Sequence, residues 1–262
     1  MQIVVTIKQV PDPNFPPANV KLDPSGRRIG SPMGVPAVMN GYDANALEEA
    51  LRLKEQHGGR VSALSLGDEA CRPVLKRAVA MGADQALLLG DENWLNADSG
   101  GIGAVIAAAV RKLGMPDLVL CGRQASDTDG GQVLFRLAHA LGFAVITPVS
   151  KIESFEGGAL VVQRQNGDTV QRLRVRLPAL LGISSEINEP RTPSMRGLSN
   201  ATRMRIPRWT AVDLDVPGLS ARVAPRGVRV IESSSMAELV EGDSGMQRGI
   251  ALAERLHAQG LI

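Results

Sequence analysis

The feature that most constrains the fold is a regular alternation of short apolar runs with longer segments of helical periodicity. The apolar runs are typical of buried strands and occupy residues 3–10, 61–67, 85–90 and 117–122. Amphipathic or apolar helical patterns follow them at residues 44–59, 69–81, 99–113 and 131–141. Strands that alternate with helices of this length indicate βαβ units, and so predict an α/β fold: a parallel sheet with helices on both faces.

Three further segments complete the predicted organisation. Residues 11–40 are rich in Pro, Gly, Ser and Asp and predict a long loop with a short strand at 20–23. From residue 151 the pattern alternates around an Asn-Gly-Asp turn, which predicts an antiparallel hairpin added to the sheet. We therefore expect a nucleotide-binding domain over 1–184, with its Rossmann-like core over 1–150 and the added hairpin over 151–184. Residues 185–262 are expected to form a partner-docking loop and a C-terminal arm of little regular structure, which wraps a partner and ends in a helix over 244–258.

Composition excludes several classes of function. The chain has 262 residues and a net charge of +2, and only 3% of its residues are aromatic, which argues against a nucleic-acid partner. No run of 18 or more apolar residues and no leader-like N-terminus are present, so we expect a cytoplasmic protein without membrane insertion. The two cysteines, Cys71 and Cys121, are too few and too widely spaced for a disulfide framework or a metal site.

The segment DLVLCGRQASDTDGGQV, residues 117–133, carries the main functional signal. It predicts a buried strand, a polar turn with glycines and then a helix, whose free backbone N–H groups attract phosphate. By itself the pattern is equally consistent with a nucleotide site and with an ordinary turn. Neither a Walker loop nor a GxGxxG motif is present, which argues against a standard P-loop NTPase or dinucleotide dehydrogenase.

Several stretches together resemble the beta subunit of electron transfer flavoproteins in order and spacing. They are TIKQVPD at 6–12, MNGYDANALEEALRLKEQHGG at 39–59, AVAMGADQALLL at 78–89, LCGRQASDTDGGQV at 120–133 and LPALLGISSEINEPRTPSMRGL at 177–198. The resemblance implies a Rossmann-like fold of the adenine nucleotide alpha hydrolase type. It also implies a heterodimer in which the alpha subunit holds most of a redox-active FAD and the beta subunit binds an adenine nucleotide. Such a protein is an electron carrier between flavin-dependent dehydrogenases and an acceptor, and is not an enzyme by itself.

The resemblance also implies which residues bind the cofactor. By motif these are Thr6, Asn40, Gly41, Tyr42, Asp43, Leu66, Gly67, Gly122, Arg123, Gln124, Ala125, Ser126, Asp127, Thr128, Asp129, Gly130, Gly131, Gln132 and Val133. Tyr42 matches a position beside the flavin, although a half-buried packing residue is the alternative. For Asp43 we favour a helix N-cap over a ligand contact, and we interpret Asp127 and Asp129 as electrostatic caps of the following helix and not as acid catalysts.

Two details of this resemblance concern the nucleotide and the partner. AMP-binding members usually carry Asn-Gln-Thr-Gly where this chain has residues 131–134, so we favour a second FAD over AMP in the beta site. A second FAD would be typical of the bifurcating or nitrogen-fixation-associated branch. Met195 lies in the segment that matches the docking loop for dehydrogenases, at the position of an apolar anchor; a buried loop methionine is the alternative.

Two other classes of protein share this kind of sheet. The first is an ATP-binding hydrolase or pyrophosphatase-like enzyme, but residues 6–17 offer no phosphate loop of the kind it needs. The second is a nucleotide-sensing domain of the universal stress type, and the long segment after residue 184 argues against it.

Overall fold

The computed structural model describes most of the chain as two units. The described residues are 1–14, 21–22, 26, 29–30, 34–94, 96–216, 219, 222–223, 227–229 and 237–262. Contacts between residues divide the chain into Met1–Val228 and Arg229–Ile262. Among the described residues, no helix is long and apolar enough to cross a membrane.

A nine-stranded sheet forms the centre of the first unit. Its strands are β1 (Gln2–Thr6), β6 (Arg60–Leu66), β7 (Gln85–Leu89), β8 (Leu118–Gly122), β9 (Ala144–Glu156), β10 (Ala159–Asn166), β11 (Thr169–Arg176), β12 (Ala179–Ile183) and β13 (Arg208–Trp209). They lie in the order β11-β10-β9-β12-β8-β1-β6-β7-β13. In this spatial order, every neighbouring pair from β9 to β13 is parallel, and only the β9–β10 and β10–β11 pairs are antiparallel. The predicted α/β fold class, a parallel sheet with an added antiparallel hairpin, is confirmed.

Two pairs of short strands lie outside this sheet. β2 (Gln9–Val10) pairs with β5 (Val38–Met39), and β3 (Lys21–Leu22) pairs with β4 (Ile29–Gly30). The apolar run over 3–10 is therefore two strands in different sheets, and not the single strand predicted. The short strand predicted at 20–23 is present as β3, although its outer residues fall outside the described part of the chain.

Helices cover both faces of the central sheet. The helices are α1 (Gly41–His57), α2 (Arg72–Met81), α3 (Ser99–Leu113), α4 (Val133–Leu141), α5 (Met195–Arg203), α6 (Ala211–Leu214) and α7 (Gly245–Ala258). Alternate side chains of β1 point to opposite faces, so Ile3 and Val5 pack in the core with α1 and α2 while Val4 packs with α3 and α4. Helices on both faces bury each parallel strand on both sides.

The connections reverse direction between β1 and β8. From β1 the chain passes to β6 and then β7 on one side, and afterwards returns to β8 on the other side of β1. In open parallel sheets, ligands bind outside the carboxyl ends of the strands at such a reversal. The topology therefore predicts a ligand site at the loops that follow β1 and β8.

The structure differs from the expected division of the chain in two places. Strand β12, expected within the added hairpin, lies between β8 and β9 and is parallel to both. All five of its residues are buried, as a strand covered on both faces requires. The parallel core therefore extends to residue 183 and does not end near residue 150.

The second difference concerns residues 185–216, which were expected to have little regular structure. They contain α5, β13 and α6, with β13 parallel to β7 at the edge of the sheet. Gly197 of α5 lies directly on the end of α2, since a Cβ there would be 2.1 Å from the Ala80 carbonyl oxygen. β13 and α6, with 2 and 4 residues, are too short to show periodicity in the sequence, and packing against the core stabilises them and α5. The terminal helix was predicted within a residue of its observed start.

Candidate functional site

The structure brings together the four segments that were predicted to bind a nucleotide. Thr6 ends β1, Leu66 ends β6 and Gly122 ends β8, and β1 pairs in parallel with both of the other strands. The N-terminus of α1, which begins at Gly41, lies against the end of β8. The segments therefore meet at the carboxyl edge of the sheet, where its topology reverses.

Asp43 does not cap α1, and the prediction that it does is wrong. The N-cap position is Asn40, and Asp43 is the third residue of the helix. The Asp43 carboxylate, 6% exposed, accepts one hydrogen bond from Lys8 N–H at 2.8 Å and another from Gly122 N–H at 3.0 Å. The capping preference of aspartate did not predict these contacts, because the donors come from the ends of two strands that are distant in sequence. Burial outweighs both hydrogen bonds and raises the pKa of Asp43 to about 7.

Asn40 is more than a turn residue. Its side chain is 1% exposed, and its Nδ2 donates to the Gln124 carbonyl at 2.8 Å. Its Oδ1 accepts from the Ser126 N–H at 3.2 Å. The Asn40 side chain therefore holds the backbone of the loop after β8 with two hydrogen bonds, one that it donates and one that it accepts.

Gly122 allows the start of α1 to approach the end of β8. A Cβ at this position would lie 2.4 Å from Asp43 Oδ1 and 2.7 Å from Tyr42 Cβ. The absence of a side chain at residue 122 is therefore a requirement of the site's architecture.

The acidic residues of the loop face other side chains. Asp127 forms an ion pair with Lys8 at 2.7 Å, and Asp129 accepts from Gln124 Nε2 at 2.9 Å. The N-cap residue of α4 is Gln132, which makes no side-chain capping bond. The interpretation of both aspartates as caps of this helix is therefore not supported by their contacts, because each carboxylate binds a partner outside α4.

The backbone before α4 presents unused donors. Among the described residues, none accepts a hydrogen bond from the N–H groups of Gly130, Gly131 or Gln132. Gly131 has a φ of 56°, a left-handed conformation that favours glycine, and a Cβ on Gly130 would have only Thr128 Oγ1 nearby, at 3.9 Å. Free N–H groups at a helix N-terminus, with open space beside them, fit the phosphate of a nucleotide.

Arg123 and Tyr42 lie together at the same edge. The Arg123 guanidinium carbon is 5.2 Å from the centre of the Tyr42 ring, a cation–π distance. The Arg123 backbone N–H donates to the Ile183 carbonyl at 2.9 Å, whereas its buried Nε has no acceptor among the described residues. In protein structures a buried donor of this kind is usually paired by an ordered water or a ligand.

A cleft of about 330 Å³ opens beside Gly67. It lies past the ends of β6 and β7 and is lined by Gly67, Asp68, Glu69, Ala70, Asp91, Glu92 and Arg208. Arg208 was not among the predicted site residues. Its Nε–H donates to the carbonyl of Gly90 at 3.0 Å, although the two residues are 118 positions apart in sequence. No motif marks it, because only the pairing of β13 with β7 brings it there.

The predicted docking residue, Met195, is 82% exposed. The alternative of a buried methionine is therefore wrong. Met195 is the first residue of α5 and not part of a loop, and Ser194 Oγ caps that helix by accepting from Gly197 N–H at 3.1 Å. Serine is a preferred N-cap, which explains why the helix begins here.

A cluster of ion pairs and hydrogen bonds, which was not predicted from the sequence, holds the chain just before Met195 against α1. Arg191 binds the buried Glu48 of α1 through its Nε at 2.8 Å. It also binds Glu55, which lies about two turns further along the same helix. Asn188 donates to Glu49 at 3.0 Å and accepts from Asn45 Nδ2. The sequence shows the spacing of these acids on α1, but it could not predict their partners, which are more than 130 residues away.

Both cysteines are free and buried. Burial raises the pKa of the Cys121 thiol to about 12, so this residue is an unreactive part of the core. Within the described residues, no cluster of side chains could hold a metal ion.

Comparison with known proteins shows to which family the chain is similar. Residues 32–214 match the family model of the electron transfer flavoprotein domain. The chain is 40% identical over 217 residues to the electron transfer flavoprotein subunit beta of Thermoanaerobacterium thermosaccharolyticum, covering 82% of this chain and 81% of that one. It is 39% identical along the full length of both chains to the caffeyl-CoA reductase-Etf complex subunit CarD of Acetobacterium woodii. It is also 38% identical to protein FixA of Azorhizobium caulinodans, over 91% of this chain and 86% of that one.

Proposed function

Because this chain belongs to the electron transfer flavoprotein family, among its beta subunits, we propose that it binds an adenine nucleotide at residues 122–133 and carries electrons as a heterodimer with an alpha subunit. The observation that most supports this proposal is the set of free N–H groups at Gly130, Gly131 and Gln132. They lie at the topological reversal of the sheet, and ligands commonly bind at such a position in open parallel sheets.

We assign the phosphate to these N–H groups and to the N-terminus of α4. Residues 122–126 form the wall beside it. Lys8 lies at the same edge and neutralises Asp127, which reduces repulsion between the loop and an anionic ligand. The remaining predicted contacts, from Thr6 and residues 66–67, complete the rim at the neighbouring strand ends.

We favour FAD over AMP as the nucleotide of this chain. The space beside Gly130 supports this preference, because a Cβ there would meet a single atom and a larger phosphate group therefore fits. A separate FAD, which is held mainly by the alpha subunit and shared with this chain, would, when bound, accept and release the electrons that the complex carries. We propose that Arg123 and Tyr42 face this shared flavin. The proposal is supported by their cation–π contact beside the loop after β8 and by the Arg123 Nε–H, which has no acceptor among the described residues.

We propose that electrons reach the heterodimer from flavin-dependent dehydrogenases and leave to a separate acceptor. Met195 supports a docking role, because an apolar side chain that is almost fully exposed at a rigid helix start is typical of an interface anchor. The two alternative functions predicted from the sheet alone, an ATP-dependent hydrolase and a stress-type sensor, have no supporting observation. The family match covers the proposed nucleotide loop at residues 122–133.

The test is to express the chain alone and together with an alpha subunit, and to compare the purified proteins. We expect the heterodimer to be yellow, with a flavin absorption spectrum, and the isolated chain to bind flavin weakly because it lacks most of the contacts. Nucleotide released from each protein by denaturation is then identified by chromatography. Release of ATP alone, together with phosphate production, would contradict the proposal.

A variant locates the nucleotide. Gly130→Val adds a side chain where the free protein has room, so the fold should survive while the nucleotide content falls at least tenfold. Gly131→Val is less informative, because its left-handed backbone strains any branched residue. Full retention of nucleotide in Gly130→Val, with an unchanged melting temperature, would show that the phosphate lies elsewhere.

A further inference from the structure

Asn40 and Asp43 stand out because all of their side-chain polar atoms are already engaged inside the protein. We propose that the side chains of both residues are positioning residues, which hold residues 122–126 in the shape that binds the nucleotide and do not themselves contact it. This inference rests on the proposed function of the loop as a nucleotide site. It revises their expected role as cofactor contacts.

Asp43 joins the carboxyl ends of the two strands at the topological reversal. Its Oδ2 accepts from Lys8, two residues beyond β1, and its Oδ1 accepts from Gly122, the last residue of β8. β1 and β8 are paired directly through residues 3–5 and 118–120. Beyond that pairing, the strands diverge into their loops, and the carboxylate connects them across the gap.

Asn40 continues the same connection further along the loop. It engages Gln124 and Ser126, on either side of Ala125. Among the described residues, the loop has two further links: the Arg123 N–H donates to the Ile183 carbonyl just after β8, and Asp127 pairs with Lys8 further along. The shape of the loop therefore depends on the start of α1.

Burial supports indirect action for both side chains. Asn40 and Asp43 are buried polar residues, whereas residues 126 and 128–130 of the loop are exposed. A ligand at the exposed N–H groups would meet the loop backbone first. Breaking the internal hydrogen bonds of Asn40 or Asp43 to free their atoms for a ligand would leave buried donors unpaired.

The chain contains a matched control for Asp43. The Asp117 carboxylate accepts from Gln2 N–H at 2.7 Å, and so joins the amino ends of the same two strands, β1 and β8. Asp117→Asn and Asp43→Asn make the same substitution at opposite edges of the sheet. At residue 43 the amide NH₂ replaces one of two accepting oxygens, whereas at residue 117 the amide oxygen can still accept from Gln2 N–H. Only the edge with Asp43 adjoins the proposed site.

The experiment compares Asp43→Asn, Asn40→Ala and Asp117→Asn with the parent full-length chain, after nucleotide has been removed. AMP, ADP and FAD are titrated into each protein by calorimetry at a temperature where all are folded. We expect Asp43→Asn and Asn40→Ala to bind the nucleotide that the parent prefers at least tenfold more weakly, and Asp117→Asn to bind it within twofold of the parent. Equal affinities in Asp43→Asn and Asp117→Asn would overturn the proposal.

Hydrogen exchange of the nucleotide-free proteins separates positioning from direct contact. Positioning predicts faster exchange of the Gly122 and Ser126 N–H groups in Asp43→Asn and Asn40→Ala before any nucleotide is added. Lost affinity with unchanged exchange would mean that the side chains touch the ligand, and would also overturn the proposal. If the parent binds none of the three nucleotides, either alone or as a heterodimer with an alpha subunit, the proposed function fails, whereas the exchange measurement still decides whether these residues hold the loop. If Asp43→Asn does not fold, Asn40→Ala carries both measurements.

Discussion

At the scale of single residues, Asp43 shows opposing effects of burial and hydrogen bonding. Two N–H donors favour its charged form, but removal from water disfavours that form more, so its pKa is raised from 3.8 to about 7. The folded chain therefore holds a proton on Asp43 in a pH range where the unfolded chain has released it. This imbalance makes the free energy of unfolding depend on pH.

The sign of this dependence gives a prediction for Asp43→Asn. Between the ordinary pKa and about pH 7 the folded state binds more protons, so the contribution of Asp43 to stability is greatest below the ordinary pKa and is lost as the pH rises to about 7. The difference in unfolding free energy, parent minus variant, should fall by on the order of 1 kcal/mol per pH unit over this range. Denaturant unfolding at several pH values measures it. A constant difference would mean that Asp43 titrates at its usual pKa in the fold.

Gly122 gives a second prediction at this scale. Gly122→Ala places a methyl group against Asp43 Oδ1 and the backbone of Tyr42, which cannot move without shifting α1. We expect a loss of about 1–3 kcal/mol in unfolding free energy, as for other overpacked sites. Gly130→Ala, where a Cβ meets one atom at 3.9 Å, is the control and should cost much less. Equal stability of the two variants would show that α1 is not tightly packed on β8.

At the scale of elements, α1 connects two parts of the molecule that are separate in sequence. Its first turn holds the loop after β8 through Asn40 and Asp43, and its later turns hold residues 188–191 through Asn45, Glu48 and Glu55. Arg191 is charged at any ordinary pH, because its bonds to Glu55 and Glu48 raise its pKa further. The start of α5, and with it Met195, therefore has a defined position relative to the proposed nucleotide site.

Met195→Ala tests whether this position serves docking. An 82% exposed side chain contributes almost nothing to folding, so the melting temperature, the assembly of the heterodimer and the flavin spectrum should be unchanged. Removal of a docking anchor typically costs on the order of 2 kcal/mol of binding, so electron transfer at low partner concentration should slow by roughly tenfold or more.

Val212→Ala is the control for Met195→Ala, because Val212 is 91% exposed on α6 and has no proposed role. Steady-state electron transfer over a range of acceptor and donor concentrations measures both variants. If Met195→Ala and Val212→Ala transfer electrons equally well, Met195 is not an anchor. A lower melting temperature in Met195→Ala would instead indicate a packing role.

At the scale of the whole molecule, the buried core belongs entirely to the unit Met1–Val228. Every buried hydrophobic side chain among the described residues lies at or before Leu214. The unit Arg229–Ile262 contains α7, none of whose residues is buried and several of whose apolar side chains are exposed, including Met246 and Ile250. Exposed apolar side chains along one helix are typical of a segment that packs on a partner.

Deletion of residues 229–262 tests this view of the molecule. We expect the shortened chain to keep the melting temperature of the parent within a few degrees, because all the buried hydrophobic residues that the structure describes remain. We also expect it to form less heterodimer with the alpha subunit, since the deleted arm is proposed to contact that partner. Gel filtration of the co-expressed proteins measures assembly. Normal assembly with a sharply lower melting temperature would place the role of the arm in folding.

Local patterns in the sequence were sufficient for the main elements. The runs of β-branched and apolar residues, and the glycines after α1, α2, α3 and α4, mark strands and helix ends whose physical causes lie within a few residues. The α/β class and the family followed from this order and from the motifs. The edge of the sheet at which the predicted site residues meet also followed, because parallel strands align their carboxyl ends.

Only the tertiary structure decided what individual residues do. Asp43, a capping residue by local preference, binds N–H groups 35 and 79 positions away, and Arg191 binds acids more than 130 positions away. β12 joined the parallel core and α5 formed because neighbouring elements cover them, which no local propensity encodes. The sequence by itself determined the elements, since their hydrogen bonds and periodicity are local. The fold determined the partners, since burial and long-range contacts exist only once the chain is packed.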